Sequence, residues 1–217
     1  ITGEEIRIRG AGRTDAGVHA KAQVVAFESE SELESPTIIK ALNFHLPNDI
    51  AIKGACEVQK DFDPRRDAIS REYRYTILND SERSPLSRAW ACLVPWKLDT
   101  EIMNKACGKL LGKHDFAPFT NKEGGTKNTN RTVFKAEVSR KDKFVFFDMI
   151  ANAFLPQQVR RTVGSLIEVG LGKMGIDEFT EIANSGTIGM AKLVAPPHSL
   201  CLMKVNYSEI GFNYENV

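Results

Sequence analysis

Residues 10 to 20, GAGRTDAGVHA, place Arg13, Asp15 and His19 in a short stretch in which Gly12 and Gly17 flank the aspartate. Glycines let a backbone turn sharply and hold a carboxylate at the edge of a sheet. Such a carboxylate suits two kinds of chemistry. It can act as a nucleophile that forms a covalent intermediate, or as one of a pair of acids in a hydrolase, with Glu123 or Asp115 as the second acid. The competing structural reading has Thr14 and Asp15 bonding nearby backbone amides, His19 satisfied by a backbone carbonyl and Arg13 solvated. His19 and His114 show no metal-ligand spacing, so no metal site is expected.

The elements that must position this loop follow from the hydrophobic pattern. EEIRIRG (4–10) and AQVVAFES (22–29) read as strands on either side of it. SPTIIKALNFHL (35–46) reads as a helix with Ser35 as its cap and Pro36 at its first position, and DIAIKGACEVQ (49–59) alternates like a strand. The charged, proline-bearing segment near 61–69 marks a link. Beyond it, SREYRYTILN (70–79) and RAWACLVPW (88–96) predict strands, and DTEIMNKACGKLLG (99–112) predicts a helix. RTVFKAEVSR (131–140) and KFVFFDMIAN (143–152) predict a hairpin about a lysine-rich turn at 141–143. PQQVRRTVGSLIEVGLG (156–172) predicts a long helix, DEFTEIANSG (177–186) a shorter one and SLCLMKVNY (199–207) a closing strand. The expected fold class is α/β, of the α+β kind, with an amino-terminal unit over 1–66 carrying the loop and a carboxy-terminal unit over 67–217. The two are expected to meet at a basic cleft with Asp15 at its floor.

Composition restricts the possibilities further. With 217 residues, 42% of them hydrophobic, the chain is expected to be soluble and globular. It contains no apolar run of about 18 residues, and its opening residues lack the order of a signal peptide. No membrane association is expected, and the expected location is cytoplasmic. Cys56, Cys92, Cys107 and Cys201 form no C-x-x-C pair and are expected to be reduced and buried. Net charge is +1, from 29 basic and 28 acidic side chains, so a nucleic-acid partner must be held by a local patch. Lys60, Arg65, Arg66, Arg71 and Arg74, with Lys122, Lys127 and Arg131, are the candidates for a salt-sensitive phosphate surface.

The whole string GRTDAGVHA followed by QVVAF resembles the signature of the tRNA pseudouridine synthases of the TruA family. NFHLPNDIAI (43–52), REYRYTI (71–77), ANAFLPQQVRRTVGSLIEVG (151–170) and APPHSLCLMKVNY (195–207) resemble further family segments in the same order. The resemblance covers nearly all of the chain. Family members open with a strand and loop carrying Y/F-D-G-x-x-F/Y-x-G-W-Q and then a helix. Neither is matched here, so the chain is expected to start inside the first α/β unit; in a molecule without those elements the strands near 4–9 and 21–28 lose a sheet neighbour. Ser199 stands where a glycine is common, and PQQ (156–158) replaces a more aromatic or histidine-bearing stretch at the pocket rim.

The resemblance implies two ferredoxin-like, RRM-like subdomains with mostly antiparallel sheets. It implies an isomerase that converts uridine to pseudouridine at positions 38, 39 or 40 of the tRNA anticodon stem-loop, without a cofactor and as a homodimer. It assigns Asp15 as the nucleophile, Arg160 as its ionic partner, Tyr73 as the contact to the target base and Arg13 to handling the RNA. His19, Arg66 and Arg71 join the candidate substrate-binding set. A catalytically impaired RNA-binding protein of the same fold is the alternative.

Elementary chemistry is consistent with these roles. The reaction needs a nucleophile and a proton acceptor; Asp15 can attack C6 of the base or C1′ of the sugar, or promote elimination to a glycal. A buried carboxylate stays ionised when an arginine is hydrogen-bonded to it. On a helix, Val159, Val163, Leu166, Ile167 and Gly170 form the apolar stripe; Arg160 lies at its margin and Arg161 roughly opposite. The competing reading of Arg160 is a side chain snorkelling along the core. Tyr73 and Tyr75 share one face of a strand. Packing accounts for Tyr75, and stacking on uracil with removal of the C5 proton is the functional reading of Tyr73. A paired uridine must first be flipped out.

Overall fold

A computed structural model describes residues 1–121 and 128–208. In chain order its elements are β1 (Arg9–Gly10), β2 (His19–Ala20), β3 (Val25–Ala26), α1 (Ser35–His45), β4 (Ser70–Leu78), β5 (Cys92–Leu93) and α2 (Thr100–Cys107). They continue with β6 (Gly112–Asp115), β7 (Asn130–Lys141), β8 (Phe144–Ala151), α3 (Gln158–Gly170), α4 (Ile176–Asn184) and β9 (Leu200–Asn206). Two compact units result. One holds Ile1–Gly12, Val24–Ala68 and the described residues from Tyr207; the other holds Arg13–Gln23 and Ile69–Asn206. The loop bearing Asp15 therefore packs with the later part of the chain, because His19 and Ala20 pair in parallel with Cys201 and Leu202 of β9.

In the first unit, β1 and β3 pair antiparallel over two residues each, much less than the strands expected over 4–10 and 22–29. The intervening residues 13–23 belong to the other unit and contribute nothing to this ladder. Helix α1 begins one residue beyond Glu34, which takes the capping position in place of Ser35 and makes no side-chain cap bond. Pro36 sits in its first turn, where a missing N–H does no harm. No strand forms over 49–59. There the side chain of Asn43 takes the place of a neighbouring strand: its Oδ1 accepts the Ile52 N–H at 2.6 Å and its Nδ2 donates to the Ile52 carbonyl at 2.9 Å.

The second unit is a seven-stranded, mostly antiparallel sheet in the order β2-β9-β4-β8-β7-β6, with β5 joining the far end of β4. β9 pairs with β4 only as far as Tyr75, and β5 takes over that edge at Ile77 and Leu78. Alternation puts Val145, Phe147, Met149 and Ala151 of β8 on one face, all fully buried with Tyr75 and Ile77 of β4. Helices α2, α3 and α4 cover that face through Met103, Val163, Leu166 and Phe179. Each large side chain fully buried in this layer contributes roughly 1.5–3 kcal/mol. Asp99 caps α2, its Oδ1 accepting the N–H groups of Glu101 and Ile102. The helix expected over 99–112 stops early, and Gly112 to Asp115 pair with β7 as β6. Of the cysteines only Cys107 is fully buried; Cys56 is exposed, contrary to expectation.

Candidate active site

The carboxylate of Asp15 and the guanidinium of Arg160 form an ion pair, Oδ2 to Nη1 at 2.8 Å, across 145 residues of sequence. The turn that presents Asp15 is closed by the Val18 N–H donating to the Asp15 carbonyl at 3.0 Å. Gly17 adopts φ 81° in that turn, a conformation that side chains rarely tolerate. A Cβ on it would also come within 3.3 Å of Pro197. Arg160 is 14% exposed and Asp15 33%, so the pair is partly shielded from water. The carboxylate lies beside the first turn of α3, whose own first turn carries no acid, and the positive end of the helix favours a negative charge there.

Arg160 is held by a second contact. Its Nε donates to the Ala195 carbonyl at 2.8 Å, and the Ala195 N–H donates to the Arg160 carbonyl at 3.1 Å. The strap from Ala191 to Ala195 can lie this close because Gly164 faces it: a Cβ there would run into the Leu193 carbonyl. The next residues continue the clamp, with the Tyr75 hydroxyl donating to the Pro196 carbonyl at 3.0 Å. Arg161 donates to the Ala191 carbonyl at 2.7 Å, and burial, then the neighbouring Arg160 charge, lowers its pKa.

Tyr73 stands on β4 next to a bulge at which Met203 of β9 is the extra residue. Bulges re-aim neighbouring side chains. Its ring meets Phe154 edge-on, centroids 5.0 Å apart at 80°. Burial, the largest influence, pushes its hydroxyl up to about 12; Arg71 opposes the shift and Asp15 adds to it. A shallow hollow, open to solvent, is lined by Asp15, Tyr73, Phe154, Gln157, Gln158 and neighbouring residues. Among the described residues, no three His, Cys, Asp or Glu side chains gather as metal ligands would.

The structure thus brings Asp15, Arg160 and Tyr73 to one place. Arg13 is exposed two residues from Asp15, and Arg71 Nη1 donates to the Asn152 carbonyl at 2.8 Å. His19 does not line the hollow; its Nε2 lies 2.9 Å from the Ala89 carbonyl. Arg66 belongs to the first unit and pairs with Asp67 at 2.9 Å. Arg74 alternates to the sheet face opposite Tyr73 and makes two bonds to Asp148, at 2.7 and 2.9 Å. It is engaged there rather than turned toward the hollow. Asp115 accepts the Ala117 N–H at 2.9 Å, and no second acid lines the hollow, so the paired-acid arrangement is not formed among the described residues. Glu123, Lys122 and Lys127 lie outside the described residues. Phe154, Gln157 and Gln158 enter the site without having been singled out individually, although the Asn152-x-Phe154 pattern preceding the helix carried the signal for Phe154.

A family model described as tRNA pseudouridine synthase matches residues 1–66 and 106–208. The tRNA pseudouridine synthase A of Geobacter sp. (strain M21) is 39% identical over 210 residues, covering 96% of this chain and 85% of that protein. Proteins of the same name from Roseiflexus sp. (strain RS-1) and Roseiflexus castenholzii are 41% and 42% identical, each covering 97% of this chain and 79% of the relative. With a matched family model over most of its length and relatives this similar, the chain belongs to the tRNA pseudouridine synthase family.

Proposed function

We propose that this chain isomerises uridine in tRNA to pseudouridine at a centre formed by Asp15, Arg160 and Tyr73. Family membership supports the reaction and the substrate class. The observation that supports the site is the Asp15–Arg160 pair at 2.8 Å, with Asp15 on the wall of an open hollow. In the reaction the bond from N1 to C1′ breaks and a bond from C5 to C1′ forms. The C5 proton leaves and N1 gains one, so product and substrate are isomers.

Asp15 supplies the nucleophile, by attack at C6 or C1′ or by promoting a glycal, and Arg160 keeps its charge oriented and compensated. Tyr73 offers the flipped uracil a ring face, backed by Phe154. With its hydroxyl near pKa 12 it is neutral at pH 7, so stacking is its ground-state role, and accepting the C5 proton would require it to ionise first. The family resemblance supports the finer assignments: positions 38 to 40 of the anticodon stem-loop, RNA handling by Arg13, and a homodimer; Arg71 joins Arg13 as a basic candidate for RNA contact. No described helix is long and apolar enough to cross a membrane, and a tRNA substrate is in keeping with a cytoplasmic location.

Incubation with tRNA tritiated at uridine C5, alongside a tRNA-binding measurement, tests the reading. Release of tritium to water with pseudouridine formation is expected. Binding without release would establish instead an RNA-binding protein of the same fold.

A further inference from the structure

Gln158, the first residue of α3, is 1% exposed and lines the same hollow as Asp15 and Tyr73. Its Oε1 accepts the Leu155 N–H at 2.8 Å. Because a backbone N–H needs an acceptor, that bond fixes the orientation of the amide and leaves Nε2 as the free end. Nε2 is a buried donor with no hydrogen-bond partner among the described residues. Buried donors in native proteins are almost always satisfied, and beside a reactive centre a substrate acceptor is one partner that can satisfy the exception.

Uracil presents two such partners, the carbonyl oxygens O2 and O4. The isomerisation also frees the base from its sugar for part of the reaction, so something other than the glycosidic bond must hold it. Aromatic contact with Tyr73 restrains the ring plane, but the freed base must still turn so that C5 takes the place of N1 opposite C1′. A hydrogen bond to one carbonyl oxygen keeps the base in the hollow and limits which turn it makes. We infer that Gln158 holds the extruded uracil by donating from Nε2 to a ring carbonyl oxygen, as a positioning residue for the isomerisation. The inference rests on the function proposed above.

Nε2 is covered in this structure, so the oxygen reaches it as the wall of the hollow yields. That wall runs from Phe154 to Gln157, and Gln157 carries φ 60°, a left-handed conformation unusual for a residue other than glycine. Its side chain is steadied by Arg161, whose Nε donates to Gln157 Oε1 at 3.2 Å. A wall that already stores backbone strain is a reasonable place for adjustment when a base enters.

Gln158→Glu keeps an oxygen for the Leu155 N–H and removes the donor; Gln158→Met removes both and shows what loss of that backbone bond adds. Because burial and the nearby Asp15 raise the pKa of a carboxyl placed here, and a neutral carboxyl still donates, Gln158→Glu is followed from about pH 6 to 9. On the high-pH plateau, where the new carboxyl is ionised, kcat is expected to fall about tenfold, the order one lost hydrogen bond supplies. KM for tRNA, set by phosphate contacts, should stay within about twofold. The decisive arm repeats the comparison with tRNA carrying 2-thiouridine or 4-thiouridine at the target position. Sulfur at the oxygen that Gln158 reads should slow the wild-type chain, and Gln158→Glu should add little further loss on that substrate alone. An equal penalty on the normal and both thio substrates, or an unchanged kcat, overturns the inference. Absence of turnover by the wild-type chain on normal tRNA overturns the parent reading and this one together.

Discussion

Arg160 and Ala195 hold each other through two hydrogen bonds of opposite sense, one from the Ala195 N–H to the Arg160 carbonyl and one from the Arg160 Nε to the Ala195 carbonyl. The backbone bond fixes the strap against α3 and the side-chain bond fixes the guanidinium plane. Nη1 is then left facing Asp15. A surface arginine paired to a carboxylate would be a weak and mobile partner; this one is oriented before any substrate arrives.

Arg160→Lys therefore fails to reproduce the arrangement, since one ammonium cannot satisfy Ala195 and Asp15 in the geometry of the guanidinium fork. Turnover should fall by about 100-fold or more, the range seen when a preorganised charge partner is lost. Thermal unfolding should show a loss of about 1–2 kcal/mol, less than for a fully buried pair because Asp15 keeps a third of its surface in water. Steady-state kinetics and calorimetry check both expectations.

Gly164→Ala places a methyl group against the Leu193 carbonyl. The strap must shift, and Ala195 with it, so the effect reaches Arg160 although residue 164 touches no substrate. A loss of about 1–3 kcal/mol of stability is expected, with kcat reduced more than KM. Differential scanning calorimetry and kinetics on the same preparation measure the two.

These relationships divide between those legible in the sequence and those that are not. β4, β7, β8 and α3 were readable because each is long and strongly periodic. Asp15, Tyr73 and Arg160, which the structure brings together, were singled out in the sequence through the motifs that hold them. The pairing of β2 with β9 was not, because two residues carry no period and the partners are more than 180 positions apart. Residues 49–59 alternate like a strand, yet their neighbour is the side chain of Asn43. Nor did the sequence reveal that Gly164 marks a crossing of two backbone segments, or that Gln157 turns left-handed and so shapes the wall of the hollow.

Tyr73 and Tyr75 both have raised pKa values, burial being the first cause in each, and Tyr73 reaches about 12. A folded pKa above the unfolded one contributes stability that is complete below the unfolded value of about 10 and is lost as pH climbs through the folded value. Alkaline titration should leave these two of the four tyrosines un-ionised until the chain unfolds between about pH 10 and 12. Tyrosinate absorbance followed together with circular dichroism tests this; ionisation of all four before unfolding would contradict it.

Arg13 and Arg74 should differ in their effect on RNA. Arg13 is exposed beside the reactive loop, whereas Arg74 is bound to Asp148 on the other face of the sheet. Arg13→Ala should weaken tRNA binding and reduce the salt slope by about one; Arg74→Ala should leave both nearly unchanged. Filter binding across a salt series distinguishes them.

Asp15→Asn tests the central claim most directly, because it keeps size and hydrogen-bonding capacity while removing the negative charge. The variant should bind tRNA, and mass spectrometry after chemical derivatisation of pseudouridine should detect none in the tRNA. Turnover retained by this variant would contradict the assignment of the Asp15 carboxylate as the nucleophile.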